Sequence, residues 1–390
     1  MKLSKIPLLG RIFIAIILGV ILGQFVPLWF ARIFATFNDL FGNFLSFLIP
    51  LIIVGLVTPA IGELGKGAGR LLVITTLIAY LSTLFSGFFS YTTCQLTFPT
   101  ILEGMSFPVT GTNADNIVPS TYFSINMPPL LDVMSALIFS FCVGIGLSII
   151  NGKTLQNAFV DFRNIISRII ASVIIPLLPI YIFGMFLNMT VSGQVYSVIM
   201  LFLKVIVVVF IIHIIVLLIL FSIAGIASKS NPLKMLNNML PAYATALGTS
   251  SSAATIPVTL NCALKNKVSE SIASFTVPLC ATIHLPGSTL KIVAFSIAFM
   301  YFSGMPVEIG TFIEFIFLIG IAMIAAPGVP GGAIMAAIGI IQSVLGFNEE
   351  LIAMMITAYI AIDSFGTACN VTGDGAIAVI MDKIYQRKTI

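Results

Sequence analysis

The sequence predicts an all-α polytopic membrane protein, and three observations support this fold class. Hydrophobic residues make up 59% of the 390 residues, charged residues only 8%, and the mean hydropathy is +1.14. Long apolar runs recur along the chain, and each is about as long as a helix that crosses a bilayer. Most lysines and arginines lie between these runs or at their ends. A soluble globular protein of this length does not have this composition.

Six long apolar segments in the first part of the chain predict membrane-spanning helices. The amino-terminal run is too long for a signal peptide and does not end in a small-residue cleavage site, so we interpret it as the first span. The predicted spans cover residues 8–30, 40–62, 71–97, 130–151, 165–188 and 196–228.

The distribution of lysine and arginine predicts how the chain is oriented. Basic residues cluster before the first span, between the second and third spans, and after the fourth and sixth spans, whereas none occurs between Arg70 and Lys153. The positive-inside rule places these clusters and both termini in the cytoplasm. The loop at 98–128 then lies outside, and Arg32 is a single basic exception on that side. We expect a multi-pass protein of the plasma membrane or the bacterial inner membrane.

The apolar pattern changes after Ser230, where segments become shorter and Gly, Pro and Ser interrupt them. Three consecutive serines occupy the middle of 241–257, and a Pro- and Gly-rich stretch at 325–332 interrupts a second apolar run. Such backbone cannot face lipid, because unpaired amides there are energetically costly. Both stretches therefore predict re-entrant hairpins inside the protein. Two broken hairpins in corresponding positions are typical of a transporter site between inverted repeats.

The last apolar segment, at 357–381, contains two carboxylates. At about 100° per residue, Asp363, Thr367, Asn370 and Asp374 fall within roughly 60° of one another on one helical face. A carboxylate in hydrocarbon is costly unless it meets a cation, a hydrogen-bond donor or water. This polar stripe therefore predicts a binding place for a cation or a polar solute.

Several other function classes fit the sequence poorly. The five cysteines are scattered and form neither a disulfide framework nor a CxxC metal motif. An intramembrane aspartyl protease needs two carboxylates that share a proton, whereas Asp363 and Asp374 are separated by about 16 Å along one helix. The net charge of +4 does not indicate a nucleic-acid partner, because the basic residues lie mostly at helix ends. We therefore expect no enzymatic activity and no cofactor.

Four motifs, in order along the chain, resemble those of the dicarboxylate/amino acid:cation symporter family, which includes archaeal aspartate transporters and mammalian glutamate and neutral amino acid carriers. The serine-rich segment 248–257 resembles the tip of the family's first hairpin, and 278–288 lies where the family has PLGATI-NMDGT. Segment 328–331 resembles the tip of the second hairpin, and 370–374 matches the NVTGD of the last helix. The resemblance extends over nearly the whole chain.

The resemblance implies eight transmembrane helices, two re-entrant hairpins, inverted repeats, a homotrimer and an elevator-type movement. Residues 1–229 would form mainly scaffold and trimerisation helices, with the third span contributing to the transport core. Residues 230–390 would form that core. It would contain hairpin 1 at about 235–262, helix 7 at about 270–302, hairpin 2 at about 310–345 and helix 8 at about 350–384.

The resemblance also implies a set of site residues. Asp363 corresponds to the carboxylate that accepts the amino group of the substrate, and Asp374 and Asn370 correspond to sodium ligands. The implied substrate-binding residues are Ser251, Ser252, Ser288, Val329, Gly331, Asp363, Thr367 and Asn370. The implied sodium-binding residues are Tyr80, Thr83, Cys280, Thr282, His284, Leu285, Asn370 and Asp374, of which Thr282 and Leu285 would offer backbone carbonyls.

Three departures from the family pattern modify this expectation. Gly366 stands where the family has the arginine that binds an acidic side chain, and Ser250 occupies the alternative arginine position. Pro286 replaces the aspartate of NMDGT, and His284 replaces its asparagine. Lys291 follows His284 by seven residues, about 20° away on the same helical face. It either faces the site or extends outward along its flexible stem.

These departures favour particular substrates and ions. Without a guanidinium to bind a side-chain carboxylate, a neutral amino acid is favoured over aspartate or glutamate. One carboxylate fewer and one lysine more predict fewer bound sodium ions. In that case His284 takes part through protonation, or Lys291 replaces a cation or pairs with an anionic substrate group.

The sequence therefore predicts a secondary active symporter that imports a small, neutral amino acid with sodium and/or protons. Two alternatives stay open: a symporter of C4-dicarboxylates or acidic amino acids, and a substrate-gated anion channel activity. The expected partners are the small-molecule substrate, a monovalent cation, the lipid membrane and two further copies of the chain in a homotrimer.

Overall fold

The computed structural model describes residues 8–64, 70–105, 119–150, 153–326 and 330–386, and these ranges are helical with no strand. The first helices are α1 (Leu8–Gly23), α2 (Leu28–Leu64), α3 (Arg70–Ile101), α4 (Val133–Ile149), α5 (Lys153–Ile169), α6 (Ile175–Val191) and α7 (Val195–Ser228). They are followed by α8 (Pro232–Asn238), α9 (Leu240–Thr249), α10 (Ser252–Lys265), α11 (Glu270–Ile283), α12 (Pro286–Phe302), α13 (Ile309–Ala325), α14 (Gly332–Leu345), α15 (Glu349–Ala361) and α16 (Asp363–Gln386).

Five helical segments among the described residues are long and apolar enough to cross a membrane. They are Leu28–Gly62, Leu71–Ile101, Lys153–Val191, Val195–Ser228 and Glu270–Phe302. The bent pair α15 and α16 adds a sixth if it is counted as one span. The fold is therefore an all-helical, multi-pass membrane protein. The resemblance implies eight spans, two more than this count. The two that are not counted are α1 and α4, which have only 16 and 17 residues and are therefore short for a helix that crosses a bilayer.

Three predicted spans have wrong boundaries, and each error has a physical cause. The predicted span at 40–62 is only the later part of α2, which already begins at Leu28, and the prediction starts late because Arg32, Asn38 and Asp39 interrupt the apolar run there. The predicted span at 8–30 ends at Gly23, because Pro27 restricts the residue before it and α2 begins directly after it. The predicted span at 165–188 is part of a longer helix, Lys153–Val191, which continues through a π-helical turn at Ile170–Ile174. Its first part, α5, places polar and apolar residues on different faces, so an apolar run does not reveal it.

Contacts at the amino-terminal end of α2 relate Arg32 to the loop at 98–128. The Arg32 guanidinium donates a hydrogen bond to the carbonyl of Ser120 (3.0 Å) and lies 4.3 Å from the centroid of the Tyr122 ring. Arg32 therefore lies on the same side of the protein as Ser120 and Tyr122, which belong to the described end of this loop. At the start of α4, Asp132 caps the helix by accepting hydrogen bonds from the N–H and the hydroxyl of Ser135.

The two stretches with broken apolar pattern form pairs of packed helices. Helices α9 and α10 pack together and meet at Ser250, whose φ of +49° reverses the chain. Helices α13 and α14 also pack together, and α14 begins after Gly331, whose φ is +75°. Glycine adopts this left-handed backbone without the steric strain that a Cβ would add.

Helix α12 lies at the centre of the second half of the chain. Every residue of α12 except Tyr301 is buried. It packs against α3, α7, α15 and α16, and α16 also packs against α9, α10 and α11. The interrupted helices and both helix pairs thus surround one region, where the polar residues converge.

Candidate functional site

The site lies where two helices are interrupted inside the protein. Helix α11 ends at Ile283, and α12 begins at Pro286. Proline has no backbone N–H, and it fits this position because the N–H groups in the first turn of a helix have no intrahelical partner. Helices α15 and α16 meet at Ile362 with a bend of 60°. The last segment is therefore not one uninterrupted helix. The four polar residues from Asp363 to Asp374 all belong to α16, so they keep their common face.

Asn370 joins α16 to the start of α12. Its Oδ1 accepts hydrogen bonds from the backbone N–H groups of Gly287 (2.7 Å) and Ser288 (3.3 Å), and its Nδ2 donates to Ser288 Oγ (3.1 Å). The first N–H groups of a helix lack intrahelical partners, so Asn370 caps α12 from another helix. The Tyr359 hydroxyl also donates to Ser288 Oγ (2.9 Å). Ser288, Asn370 and Tyr359 form one buried hydrogen-bonded cluster.

Asp363 forms a buried ion pair with Lys291. The Nζ atom of Lys291 lies 2.8 Å from Asp363 Oδ1, and the two side chains are 0% and 8% exposed. The other carboxylate oxygen accepts a hydrogen bond from the backbone N–H of Gly331 (2.8 Å). Lys291 therefore faces the site, and Asp363 connects α12 to the start of α14. The Lys291 Nζ atom also lies 3.4 Å from the centroid of the Tyr359 ring, a cation–π contact.

Gly287 and Gly366 allow α12 and α16 to approach closely. A Cβ on Gly287 would lie 2.5 Å from the Gly366 carbonyl oxygen and 2.7 Å from the Cβ of Cys369. A Cβ on Gly366 would lie 2.8 Å from both Cε and Nζ of Lys291. The Lys291 ammonium thus occupies space that any larger residue at 366 would take.

Asp374 pairs with His284 at the break between α11 and α12. His284 Nδ1 lies 2.8 Å from Asp374 Oδ1, and His284 Nε2 lies 2.9 Å from Ser82 Oγ. Both His284 and Asp374 are almost completely buried. The second carboxylate oxygen of Asp374 is buried and has no hydrogen-bond partner among the described residues. An unpartnered carboxylate oxygen inside a protein is an available ligand for a cation.

A row of serines on α3 contacts the same break, and the sequence analysis did not identify it. Ser86 Oγ donates to the carbonyl of Pro286 (2.8 Å), and Ser90 Oγ donates to the carbonyl of Leu290 (2.7 Å). Together with Ser82 they lie four residues apart, on one face of α3. This spacing is a usable signal, but it indicates a site only when the partner helix is known.

The other residues expected to bind sodium make different contacts. The Tyr80 hydroxyl donates to the carbonyl of Phe317 (3.3 Å) in α13, and the Thr83 hydroxyl donates to the carbonyl of Ala79 (2.9 Å) within α3. The Leu285 carbonyl accepts from both the N–H and the hydroxyl of Thr289. Cys280 is buried, and its carbonyl accepts from the His284 N–H, whereas the exposed Thr282 donates to the Leu279 carbonyl. Their role as sodium ligands stays a prediction.

The remaining residues expected to bind substrate lie on α16 or on the helix pairs. Ser251 caps α10 by accepting from the Ala254 N–H, and Ser252 is buried as the first residue of that helix. Helices α9 and α10, which flank this tip, both pack against α16, the helix that carries the polar stripe. Thr367 is buried and donates to the Asp363 carbonyl (3.0 Å). Val329 lies outside the described residues.

The site thus has two parts with different electrostatic character. In the first part, the ion pair between Lys291 and Asp363 neutralises both charges and lies beside the Ser288–Asn370 cluster. In the second part, Asp374 has one carboxylate oxygen engaged by His284 and another without a partner. The first part offers polar groups to a small solute, and the second offers a carboxylate oxygen to a cation.

Comparison with known proteins shows similarity to transporters. The chain is 27% identical over 394 residues to the serine/threonine transporter SstT of Acinetobacter baumannii, and the match covers 97% of both chains. It is 32% identical over 161 residues to the human excitatory amino acid transporter 5, covering 41% of this chain and 29% of the human protein. A match of 32% over 164 residues links it to the mouse excitatory amino acid transporter 3, covering 42% of this chain and 31% of the mouse protein.

Residues 8–384 match the sodium:dicarboxylate symporter family, which consists of transporters rather than enzymes. This match includes all the helices that form the two-part site, and the similarity to the bacterial transporter extends over the same length. The chain therefore belongs to the sodium:dicarboxylate symporter family.

Proposed function

We propose that this protein imports a small neutral amino acid and couples its uptake to sodium. The observation that carries the proposal is the charge-neutral Lys291–Asp363 pair beside Gly366. A zwitterionic substrate adds no net charge to such a site, whereas an acidic substrate adds a negative charge that α16 has no arginine to compensate. The bacterial relative with full-length similarity is a serine/threonine transporter, which supports a substrate with a small hydroxylated side chain.

The amino acid would bind between the two helix pairs. Its ammonium group would interact with Asp363, and its carboxylate would interact with Asn370, Ser288 and the serines at the tip of hairpin 1. The N–H of Gly331 already reaches Asp363, so hairpin 2 would close over the bound substrate. Thr367, one turn after Asp363 and buried on the same helix, would contact the substrate side chain.

Sodium would bind at Asp374. Its unpartnered oxygen supports this role, because a buried carboxylate oxygen without a donor is stabilised by a cation. His284 already engages the other oxygen, and Lys291 already neutralises Asp363. Both contacts reduce the negative charge available to sodium, so we expect fewer sodium ions per substrate than the resemblance implies.

The transport movement would divide the chain at about residue 229. Residues 1–229 would supply most of the static scaffold and the contacts of a homotrimer, and residues 230–390 would move as the transport core. Helix α3 would accompany the core, which is supported by the hydrogen bonds from its serines to α12. Both termini would lie in the cytoplasm, in a plasma or inner membrane.

Uptake into proteoliposomes tests the proposal. An inward sodium gradient should drive concentrative uptake of radiolabelled L-serine, L-threonine or L-alanine, and a sodium ionophore should abolish it. A pH gradient imposed without sodium should not replace the sodium gradient. Uptake that follows only the pH gradient, or flux that ignores both gradients, would contradict sodium-coupled symport.

A second candidate class of substrate, acidic amino acids or C4-dicarboxylates, is supported by the position of Lys291 beside Gly366. Lys291 Nζ would lie only 2.8 Å from a Cβ on Gly366, so a positive charge lies close to the position of the family's arginine. This arrangement favours an acidic amino acid or a C4-dicarboxylate. Competition by L-aspartate or succinate against labelled L-serine distinguishes the two classes. Substrate-gated anion current, the other alternative, would appear as chloride-dependent current during uptake.

A further inference from the structure

The Lys291 ammonium occupies the position on Asp363 that the proposed function assigns to the ammonium group of the substrate. It lies 2.8 Å from Asp363 Oδ1, while Asp363 Oδ2 accepts from the N–H of Gly331. The chain therefore already supplies Asp363 with a cation. An incoming ammonium group must either displace Lys291 or share the carboxylate with it.

Displacement alone is unfavourable, because it leaves a buried ammonium without an anion. Lys291 is 0% exposed, and apart from Asp363 its ammonium makes hydrogen-bond or cation–π contacts within the described residues only with the ring and the carbonyl oxygen of Tyr359, at 3.4 and 3.5 Å. Neither contact carries a full negative charge. Separation of a buried ion pair is strongly destabilising unless each charge gains a new partner.

A zwitterion supplies both new partners at once. Its ammonium group can take the place of Lys291 on Asp363, and its carboxylate can take the place of Asp363 on Lys291. Four charges of alternating sign then replace two, and the site stays neutral throughout. A carboxylate without an ammonium group would leave Asp363 unpaired, and an amine without a carboxylate would leave Lys291 unpaired.

Two neighbouring residues fit this arrangement. Gly366 leaves open the space that the Lys291 side chain fills, because a Cβ on residue 366 would lie 2.8 Å from both Cε and Nζ of Lys291. Ser288 lies one turn before Lys291 on α12 and is bonded to both Asn370 and Tyr359. A carboxylate held near Ser288 is therefore on the same side of α12 as the lysine, since residues three apart share a face.

We infer that Lys291 is a substrate-binding residue, and that the transported amino acid inserts between Lys291 and Asp363 with its carboxylate on the lysine and its ammonium on the aspartate. This inference rests on the proposed function, because it presumes an amino acid substrate. It assigns Lys291 a role in substrate recognition in addition to its ion pair with Asp363.

The test uses three matched probes: L-serine, ethanolamine, which lacks its carboxylate, and 3-hydroxypropionate, which lacks its ammonium group. Each probe is measured for its ability to stabilise the purified protein against heat and to compete with labelled L-serine. The variants are Lys291→Met, Asp363→Asn and the double variant. Lys204→Met is the matched control, because Lys204 is a lysine of α7 that donates to the Ile101 carbonyl and takes no part in the site.

If the amino acid inserts between Lys291 and Asp363, the two single variants should change the selectivity between ethanolamine and 3-hydroxypropionate in opposite directions. Lys291→Met should raise the affinity for ethanolamine relative to 3-hydroxypropionate by about tenfold or more, and Asp363→Asn should lower the same ratio by about tenfold or more. The double variant should lose the preference for L-serine over both analogues, and Lys204→Met should keep the wild-type ratios. A ratio that is unchanged in both single variants would show that the pair is only structural and would overturn the inference.

The double variant keeps the test valid if the single variants do not fold, because it removes both charges and leaves none unpaired. A folded double variant that still binds L-serine with wild-type affinity would also overturn the inference. The two proposals fail separately. A wild-type protein that transports no amino acid contradicts the proposed function, whereas a wild-type protein that concentrates L-serine with unchanged ratios in the variants contradicts insertion alone.

Discussion

The Nδ1 atom of His284 lies 2.8 Å from Oδ1 of Asp374, while Oδ2 of the same carboxylate is buried without a hydrogen-bond partner in the described part of the chain. A carboxylate only accepts hydrogen bonds, so His284 Nδ1 acts as the donor. The Nε2 atom on the other side of the same ring lies 2.9 Å from the Ser82 hydroxyl oxygen. One oxygen of Asp374 is thus engaged by the chain, and the other is the one to which we assign sodium in the proposed function.

Replacing Asp374 with asparagine should abolish sodium-driven uptake. The substitution keeps the size of the side chain but removes the negative charge that would stabilise a cation in the membrane interior. Initial uptake rates in proteoliposomes, measured across a range of external sodium concentrations, should show no sodium activation.

Asp382→Asn is the control for this variant, because Asp382 is a buried aspartate two turns further along α16. Its carboxylate accepts from the N–H and hydroxyl of Ser269 and so holds the residue that precedes α11. We expect it to lower the melting temperature without changing the sodium dependence. Sodium activation that persists in Asp374→Asn would place the sodium site elsewhere.

Replacing His284 with asparagine should increase the apparent sodium affinity. The shorter side chain no longer spans from Ser82 to Asp374, so the Oδ1 atom of Asp374 becomes available to sodium together with Oδ2. We expect the half-saturating sodium concentration to fall by about tenfold, which corresponds to about 1.4 kcal/mol. Sodium titration of L-serine uptake measures this change.

Ser82→Ala separates this effect from a general loosening of the break between α11 and α12. It removes the hydroxyl that contacts His284 Nε2 and leaves the imidazole on Asp374. We expect a loss of stability of about 1 kcal/mol and little change in sodium affinity. A rise in the half-saturating sodium concentration of His284→Asn would instead mean that His284 orients Asp374 for sodium.

The sequence predicts the helical fold well where hydrophobicity alone determines it. Helix α7 extends over Val195–Ser228, close to the predicted 196–228, because its apolar run is continuous. Helix α5 was missed because its polar face interrupts the apolar run. The bend at Ile362 was also missed, since neither a proline nor a glycine lies at the break and a polar stripe on one face is compatible with a continuous helix.

The site residues could be predicted only in part, because the role of some of them depends on which helices pack together. Asp363 and Asp374 are recognisable because carboxylates in a membrane helix require a partner. The serines of α3 are not, because serine is common in membrane helices and its partner helix lies about 200 residues away in sequence. The direction of Lys291 was open, since a lysine can face inward or extend outward. The gap at Gly366 decides it, and this gap exists only after α12 and α16 pack.

Replacing Gly366 with alanine should weaken the ion pair beside it. The added Cβ would lie 2.8 Å from Cε and Nζ of Lys291, so the lysine can give way only by moving relative to Asp363. We expect a loss of stability of about 1–3 kcal/mol, typical of overpacking, together with weaker L-serine binding. The melting temperature of the purified protein, with and without L-serine, measures both effects.

A double-mutant cycle with Lys291→Ala tests whether the lysine causes this loss. Lys291→Ala removes the two atoms that the new Cβ would approach, so Gly366→Ala should lower the melting temperature less in that background. Equal effects of Gly366→Ala in both backgrounds would show that the glycine is required for another reason.

Replacing Gly287 with alanine should be more damaging than replacing Gly366, because the new Cβ would meet backbone rather than a flexible side chain. It would lie 2.5 Å from the Gly366 carbonyl oxygen, and no rotamer change can remove that contact. Helices α12 and α16 would have to separate, which would also lengthen the hydrogen bond from the Gly287 N–H to Asn370. We expect a loss of stability greater than the usual overpacking cost of about 1–3 kcal/mol, with both sodium-dependent and L-serine-dependent stabilisation reduced.

Gly310→Ala in α13 is the matched control, since a Cβ on Gly310 meets no atom within 4 Å and should stabilise the helix slightly. Equal melting temperatures for the two variants would contradict the close approach of α12 to α16 on which the whole site depends.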